Sequence, residues 1–192
     1  FSDYFNKCPV LVLPGKTFPI TINHVKSKQE DYMFTAIATL LKIHLSAKPQ
    51  EDVLMFLTGK DEIESMCHQI RTIAKSPELE GKIPLKVYPL HSSLPQNKQF
   101  DAFTRSHEGQ RRVVVATNIA ETSITSPGIK YVIDTGVVKQ KKYEAGTGMD
   151  MLKITPISQA QAWQRSGRAG RECPGVCYRT YTVGEMEALE KM

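Results

Sequence analysis

Short apolar runs and helical patterns alternate along the chain. Ile20–Val25 reads as a β-strand, and Asp31–Leu45 follows as a helix with Ile37, Leu40, Leu41 and His44 at 3.6-residue spacing. Val53–Leu57 (VLMFL) is a continuous apolar run, as expected of a strand covered on both faces. The helix after it keeps Ile63, Met66, Cys67, Ile70 and Ile73 on one side. Its start is marked by Thr58-Gly59 and by Asp61 and Glu62, since carboxylates suit the positive end of a helix dipole. The Pro- and Gly-containing stretch Ser76–Pro84 predicts a surface loop. Val87–Leu90 is the next strand, and Gln96–Phe103 a short helix introduced by Pro95. Val113–Ala116 and Tyr131–Asp134 are two more buried strands; Val176–Tyr181 is the last, before a helix from about Gly184.

This alternation predicts an α/β fold, a mostly parallel sheet with helices on both faces. One segment departs from it. Val137–Lys142 and Met151–Ile154 can pair across Gly146–Gly148 as a β-hairpin. Its first arm carries Lys139, Lys141 and Lys142, so it is either a basic ribbon projecting from the sheet or an edge kept soluble by lysines. The pattern leaves both open.

Composition narrows the class only a little. The 192 residues suit one α/β domain, and 41% hydrophobic with 23% charged residues is ordinary for a globular protein. A net charge of +5 is compatible with a polyanionic partner without establishing one. No apolar run approaches the ~20 residues that span a bilayer, and FSDYFNKCPV lacks the apolar core of a signal peptide. Cys8, Cys67, Cys173 and Cys177 form no disulfide or zinc framework, which points to reduced thiols in an intracellular protein. The abrupt start, and an end (EMEALEKM) inside a helical pattern, suggest a piece of a longer protein.

The densest chemistry lies in QRSGRAGR, Gln164–Arg171, with three arginines, a glutamine and two glycines in eight residues. If the segment is helical, Gln164, Arg168 and Arg171 fall within roughly one 60° sector and Arg165 points away. Gly167 and Gly170 would each cost a helix about 1 kcal/mol relative to alanine, so they are expected to admit something close to the backbone. Arginines on one face suggest that this something is anionic; the plainer alternative is a solvated basic face.

Three polar clusters follow strand ends: Thr58-Gly59, His91-Ser92-Ser93 and Thr117-Asn118. Ligands of open α/β sheets bind beyond the carboxyl ends of the strands, and such groups can hold phosphate oxygens. Each, singly, also reads as a helix cap. Ala116–Thr125 (ATNIAETSIT) opens at such an end, with one carboxylate at Glu121. No Ser/His/Asp or Cys/His nucleophile set can be argued, and His91 reads as a loop residue.

Together these segments resemble the second RecA-like domain of a superfamily 2 helicase, in the DEAH/RHA branch of RNA helicases. VLMFLTGKDEIE is similar to motif IV, ATNIAETSIT to motif V and QRSGRAGR to motif VI. YPLHSSLP, KYVIDTG and VIDTGVVKQKKYEAGTGMDMLKITPIS agree, so the resemblance covers nearly the whole chain. It implies one RecA-like three-layer domain over residues 1–192, with a hairpin at about 138–154 near the RNA path. It also implies ATP with Mg2+, bound mainly by the first RecA-like domain. Gln164 would orient the attacking water or γ-phosphate, and Arg168 and Arg171 would be the arginine fingers. Phe103, a core residue by pattern alone, would stack on the base; Thr125 would contact the sugar. Ser123 would communicate between nucleotide and RNA. Thr58, Gly59, Thr117 and Asn118 would hold the RNA backbone. The implied partners are RNA, the first RecA-like domain and an activator protein, with no membrane, in the nucleus or nucleolus rather than the cytoplasm.

Two features qualify the resemblance. Many relatives carry a ribose-binding aspartate two residues after the motif V threonine; here Pro127 stands there, and a backbone carbonyl or Thr125 would have to compensate. The chain also has no GxxxxGK[ST] phosphate loop and no DEAH segment, both of which belong to the first domain. Two other classes fit less of the sequence: a helicase-like pseudoenzyme used as a binding or scaffolding module, and a DNA-directed superfamily 2 enzyme.

Overall fold

The computed structural model describes residues 2–11, 18–104, 109–122, 126–144, 146 and 148–191. Along the chain run β1 (Ile20–His24), α1 (Tyr32–Ser46), β2 (Asp52–Phe56), α2 (Lys60–Ile73), β3 (Leu85–Leu90), α3 (Gln96–Phe103) and β4 (Arg111–Ala116). Then come α4 (Ile119–Thr122), β5 (Ile129–Asp134), β6 (Val137–Glu144), β7 (Met149–Pro156), α5 (Gln159–Ser166), β8 (Gly175–Arg179) and α6 (Val183–Glu187). Six strands form one sheet in the order β1-β8-β5-β2-β4-β3, and every pair in it is parallel.

The central strands β2 and β4 are buried along their whole length, which is why their sequences do not alternate. Alternate residues serve opposite faces. Val53, Met55, Val113 and Val115 pack with Ile37 and Leu40 of α1 and Ile63, Met66 and Ile70 of α2. Leu54, Phe56, Val114 and Ala116 face the other way, toward Ala102 of α3, Ala120 of α4 and Ala169. The result is the three-layer arrangement expected of a RecA-like domain. Each fully buried aliphatic side chain here contributes about 1.5–3 kcal/mol.

Both central strands begin earlier than the apolar runs suggest, because their first residues are charged. Asp52, Arg111 and Arg112 are all buried within strands. Arg112 donates through its main-chain N–H and Nε to Asp52, at 2.9 and 3.1 Å, and through Nη1 to the carbonyls of Ala102 and Thr104 at the end of α3. Arg111 caps α1 in the same manner, donating to the carbonyls of Ile43, Ala47 and Lys48. Each guanidinium fits a helix C-terminus, where orphan carbonyls and a negative dipole end meet a cation.

Local signals set the helix starts. Asp31 Oδ1 accepts from the N–H groups of Met33 and Phe34, both at 2.9 Å, and fixes the start of α1. Ser158 with Gln161, and Thr182 with Glu185, form capping boxes at α5 and α6. The expected helix through QRSGRAGR stops at Ser166. Gly167 is its C-cap, and residues 167–170 form a turn.

The β6–β7 hairpin is a separate two-stranded antiparallel sheet, with Val137 opposite Pro156 and Glu144 opposite Met149. It pairs with no strand of the main sheet, so of the two readings the projecting ribbon is the correct one. Its root is anchored: Val138 packs with Ile157, Ala162, Tyr181 and Met186, while Lys139, Lys141 and Lys142 are exposed.

Candidate nucleotide and nucleic-acid site

The turn after α5 brings Arg168 and Arg171 to one narrow crevice on the face of the sheet, shared with Phe103 from α3 and Ser126. Arg168 is half-buried and Arg171 exposed. Burial, and then the charge of Arg171, lower the pKa of Arg168, against an opposing effect of Glu121. Neighbouring guanidiniums are chemically suited to an anion. Phe103 packs against the core, as its pattern suggests, and also lines the crevice. Gln164 is exposed on α5 and is not among the residues lining that crevice. The shared sector that a continuous helix would give to Gln164, Arg168 and Arg171 therefore does not exist; a turn, not helical periodicity, pairs the arginines.

The glycines of this segment also have a different use from the expected one. What approaches Gly170 is the chain's own first strand: a Cβ there would lie 2.7 Å from Phe18 O and from Ile20 Cγ1. The Phe18 N–H donates to the Gly170 carbonyl at 3.0 Å. Gly170 admits a neighbouring backbone, not an anion.

Ser123 and Thr125 lie outside the described residues. Beside them, the Pro127 carbonyl accepts from Arg112 Nη2, so a backbone acceptor at 127 is already engaged. Ser126 Oγ is buried without a hydrogen-bond partner among the described residues and lines the crevice. Its sequence signal, one hydroxyl just after the motif V segment, was too weak to single it out.

The RNA-side candidates sit together at the carboxyl edge of the sheet. Phe56 is in register with Ala116, and Leu90 with the same residue, so Thr58-Gly59, Thr117-Asn118 and His91 leave the sheet at one level. Thr58 is buried; its N–H donates to Glu62 Oε2 at 3.2 Å, its side chain hydrogen-bonds with Tyr32, and the Gly59 carbonyl accepts from the Ile63 N–H at 3.0 Å. The other Glu62 oxygen accepts from the Tyr32 hydroxyl at 2.6 Å; burial and then this carboxylate push the Tyr32 pKa up. The Thr117 and Asn118 carbonyls accept from the Ala120 and Glu121 N–H groups, Thr117 Oγ1 accepts weakly from the Ile119 N–H at 3.5 Å, and the Asn118 side chain is exposed. His91 is in a loop as read, but buried, with Nε2 3.5 Å from Glu64 Oε1.

One neighbour was illegible in the sequence. A Cβ on Gly59 would stand 3.4 Å from Cδ of Lys139, so the hairpin lays a lysine alongside the Thr58-Gly59 turn. Hydroxyls, an amide and a cation at a strand edge can grip a phosphodiester backbone without reading bases.

Beneath both regions lies Arg165, fully buried. Its Nε donates to Glu121 Oε1 at 2.7 Å, its Nη1 to Asp134 Oδ1 at 2.9 Å and its Nη2 to the Val137 carbonyl at 3.1 Å. The Phe56 ring lies 4.9 Å from the guanidinium carbon. Burial works against the charge, but Asp134 and Glu121 outweigh it and raise the pKa. Asp134 further accepts from the Gly136 N–H at 3.0 Å and from the Tyr181 hydroxyl at 2.7 Å. The sequence separated Arg165 from its neighbours only as the arginine pointing elsewhere.

Among the described residues no cluster of His, Cys, Asp and Glu is arranged to hold a metal ion, and no helix is long and apolar enough to cross a membrane.

Residues 35–173 match the helicase conserved C-terminal domain family. Over 192 residues the chain is 48% identical to "ATP-dependent RNA helicase DHX33" of Mus musculus, all of this chain aligning with 27% of that protein. It is 49% identical over 183 residues to "Pre-mRNA-splicing factor ATP-dependent RNA helicase prp22" of Schizosaccharomyces pombe, which covers 95% of this chain and 15% of that one. The chain thus spans well under a third of these curated relatives. Among solved structures it superposes on the E. coli DExH-box NTPase HrpB with a TM-score of 0.83 at 29% identity, covering 100% of this chain and 23% of that one. The sheet and the hairpin agree with these matches, and the chain belongs to the helicase conserved C-terminal domain family, as a second RecA-like domain of the DEAH/RHA type.

Proposed function

We propose that the chain is a motor domain of an ATP-dependent RNA helicase, gripping RNA at the carboxyl edge of its sheet and supplying arginine fingers to ATP held mainly by a first RecA-like domain. The observation that carries this reading is the convergence of Phe103, Arg168 and Arg171 on one crevice. The crevice itself is only about 10 Å³, so a nucleoside polyphosphate would lie across its mouth, against the aromatic ring and the two guanidiniums. Among the described residues that line it there is no carboxylate, which suits the phosphate side of ATP and leaves Mg2+ to ligands of the first domain.

Arg168 and Arg171 meet the charge that develops on the transferring phosphoryl group, and exposed Gln164 reaches toward the attacking water from the partner side of the cleft. Thr58, Gly59, Thr117 and Asn118, with Lys139 beside them, hold the RNA backbone. Opening and closing against the first domain would then move this grip along the strand. An activator protein would act on the same motion.

The test is Arg171→Ala in the full-length protein. Turnover of ATP is expected to fall by about 10³-fold, the scale of a lost arginine finger, with RNA affinity nearly unchanged. Unchanged turnover would remove the finger assignment. A parent protein that binds RNA but never hydrolyses ATP would favour the scaffolding reading instead.

A further inference from the structure

We infer that Arg165 is a positioning residue through which the RNA-side elements set the geometry of the arginine turn; the inference rests on the ATPase reading above. Four tethers of this one residue carry it. Nε holds Glu121, in the short helix that Thr117 and Asn118 introduce. Nη2 holds the carbonyl of Val137, the first residue of the hairpin whose Lys139 lies beside Gly59. Nη1 holds Asp134, which in turn grips the Gly136 N–H at the hairpin root. The Arg165 carbonyl, finally, accepts from the N–H of Arg168 at 3.1 Å, at the start of the turn that carries both fingers.

The surroundings give these tethers little freedom. Gly136 has φ +75°, and a Cβ on it would lie 2.5 Å from Tyr181 Cδ1, while the Tyr181 hydroxyl closes on Asp134. Gln161 adds a weak contact to the second Glu121 oxygen at 3.4 Å. A buried charge network of this kind has few satisfied arrangements, so displacement of the hairpin or of α4 is transmitted to the residue between them. Lysine cannot replace it, because one ammonium cannot span acceptors that a planar fork reaches in separate directions.

The test uses the full-length protein with Arg165→Lys and, because that change removes buried hydrogen bonds on which folding also depends, the isosteric Glu121→Gln. ATP turnover is measured with and without single-stranded RNA, together with KM for ATP and the thermal midpoint. Both variants are expected to lower the RNA-stimulation factor about tenfold, within the usual span of coupling energies, while RNA-free turnover stays within about twofold of the parent. A stimulation factor unchanged in Glu121→Gln overturns the inference. So does a proportional fall of both rates with the thermal midpoint, which a merely structural role produces, or a parent protein whose turnover RNA does not raise. Failure of the underlying reading looks different: Arg171→Ala would then leave RNA-free turnover intact.

Discussion

His44 shows how far a single buried side chain can bind stability to pH. It sits at the end of α1 beside Arg111, and burial first, then the Arg111 charge, push its pKa down to about 4. The native ring stays neutral until the pH nears that value, whereas the unfolded ring takes up its proton near 6.5. Stability from this residue is whole above pH 6.5 and is lost as the pH falls toward 4. By pH 4.5 the loss amounts to about 2 kcal/mol. In urea titrations, His44→Gln is expected to lose correspondingly less stability than the parent between pH 7 and 4.5; equal losses would show that the ring is not held neutral. The same scale explains what a residue-by-residue reading could miss. Asp52, Arg111, Arg112 and Arg165 are charged side chains in fully buried positions, and nothing local distinguishes them from surface charges. Their partners lie tens of residues away, as Arg112 and Asp52 do.

At the scale of elements, hydrophobic spacing was a good guide wherever packing alone sets the boundary. The helix Gln96–Phe103 stands where Pro95 and the apolar positions put it; of the residues their 3.6-residue pattern selects, α1 buries Ile37, Leu40 and His44 and α2 buries Ile63, Met66, Cys67 and Ile70, while Leu41 and Ile73 are half-buried. The end of α5 was not legible in this way. Arginines and alanine in QRSGRAGR favour a helix, yet Gly167 ends it and Gly170 is taken by β1. This makes Gly170 the element-level test. Gly170→Ala must displace Phe18 or Ile20, at about 1–3 kcal/mol for an overpacked contact. A fall in the thermal midpoint of roughly 3–10 °C is expected, and no fall would mean that β1 is not seated against this turn. The hairpin was visible as a basic antiparallel pair, but its placement beside Gly59 was not, because cross-element contacts leave no mark on periodicity.

At the scale of the whole molecule, the candidate groups lie on two different surfaces. The crevice with Phe103, Arg168 and Arg171 lies on the face of the sheet, and Thr58, Gly59, Thr117 and Asn118 lie at its carboxyl edge. Neither surface holds a phosphate loop, and the sequence contains no GxxxxGK[ST] segment to make one. The purified 192-residue chain is therefore expected to show no ATP turnover above background, with or without RNA, in a phosphate-release assay. Measurable RNA-stimulated hydrolysis by this chain alone would contradict the division of labour.

What the sequence by itself determined was the architecture: buried strand runs, helix periods, caps and three ordered motifs are short-range patterns, and short-range patterns survive in one dimension. Only the tertiary structure decided which residues meet. It paired Arg168 with Arg171 across a turn instead of along a helix, gave Gly170 to β1, tied up the Pro127 carbonyl, and set Arg165 between α4 and the hairpin root. These outcomes depend on satisfying buried charges and close backbone contacts between distant segments, a condition that no window of sequence contains.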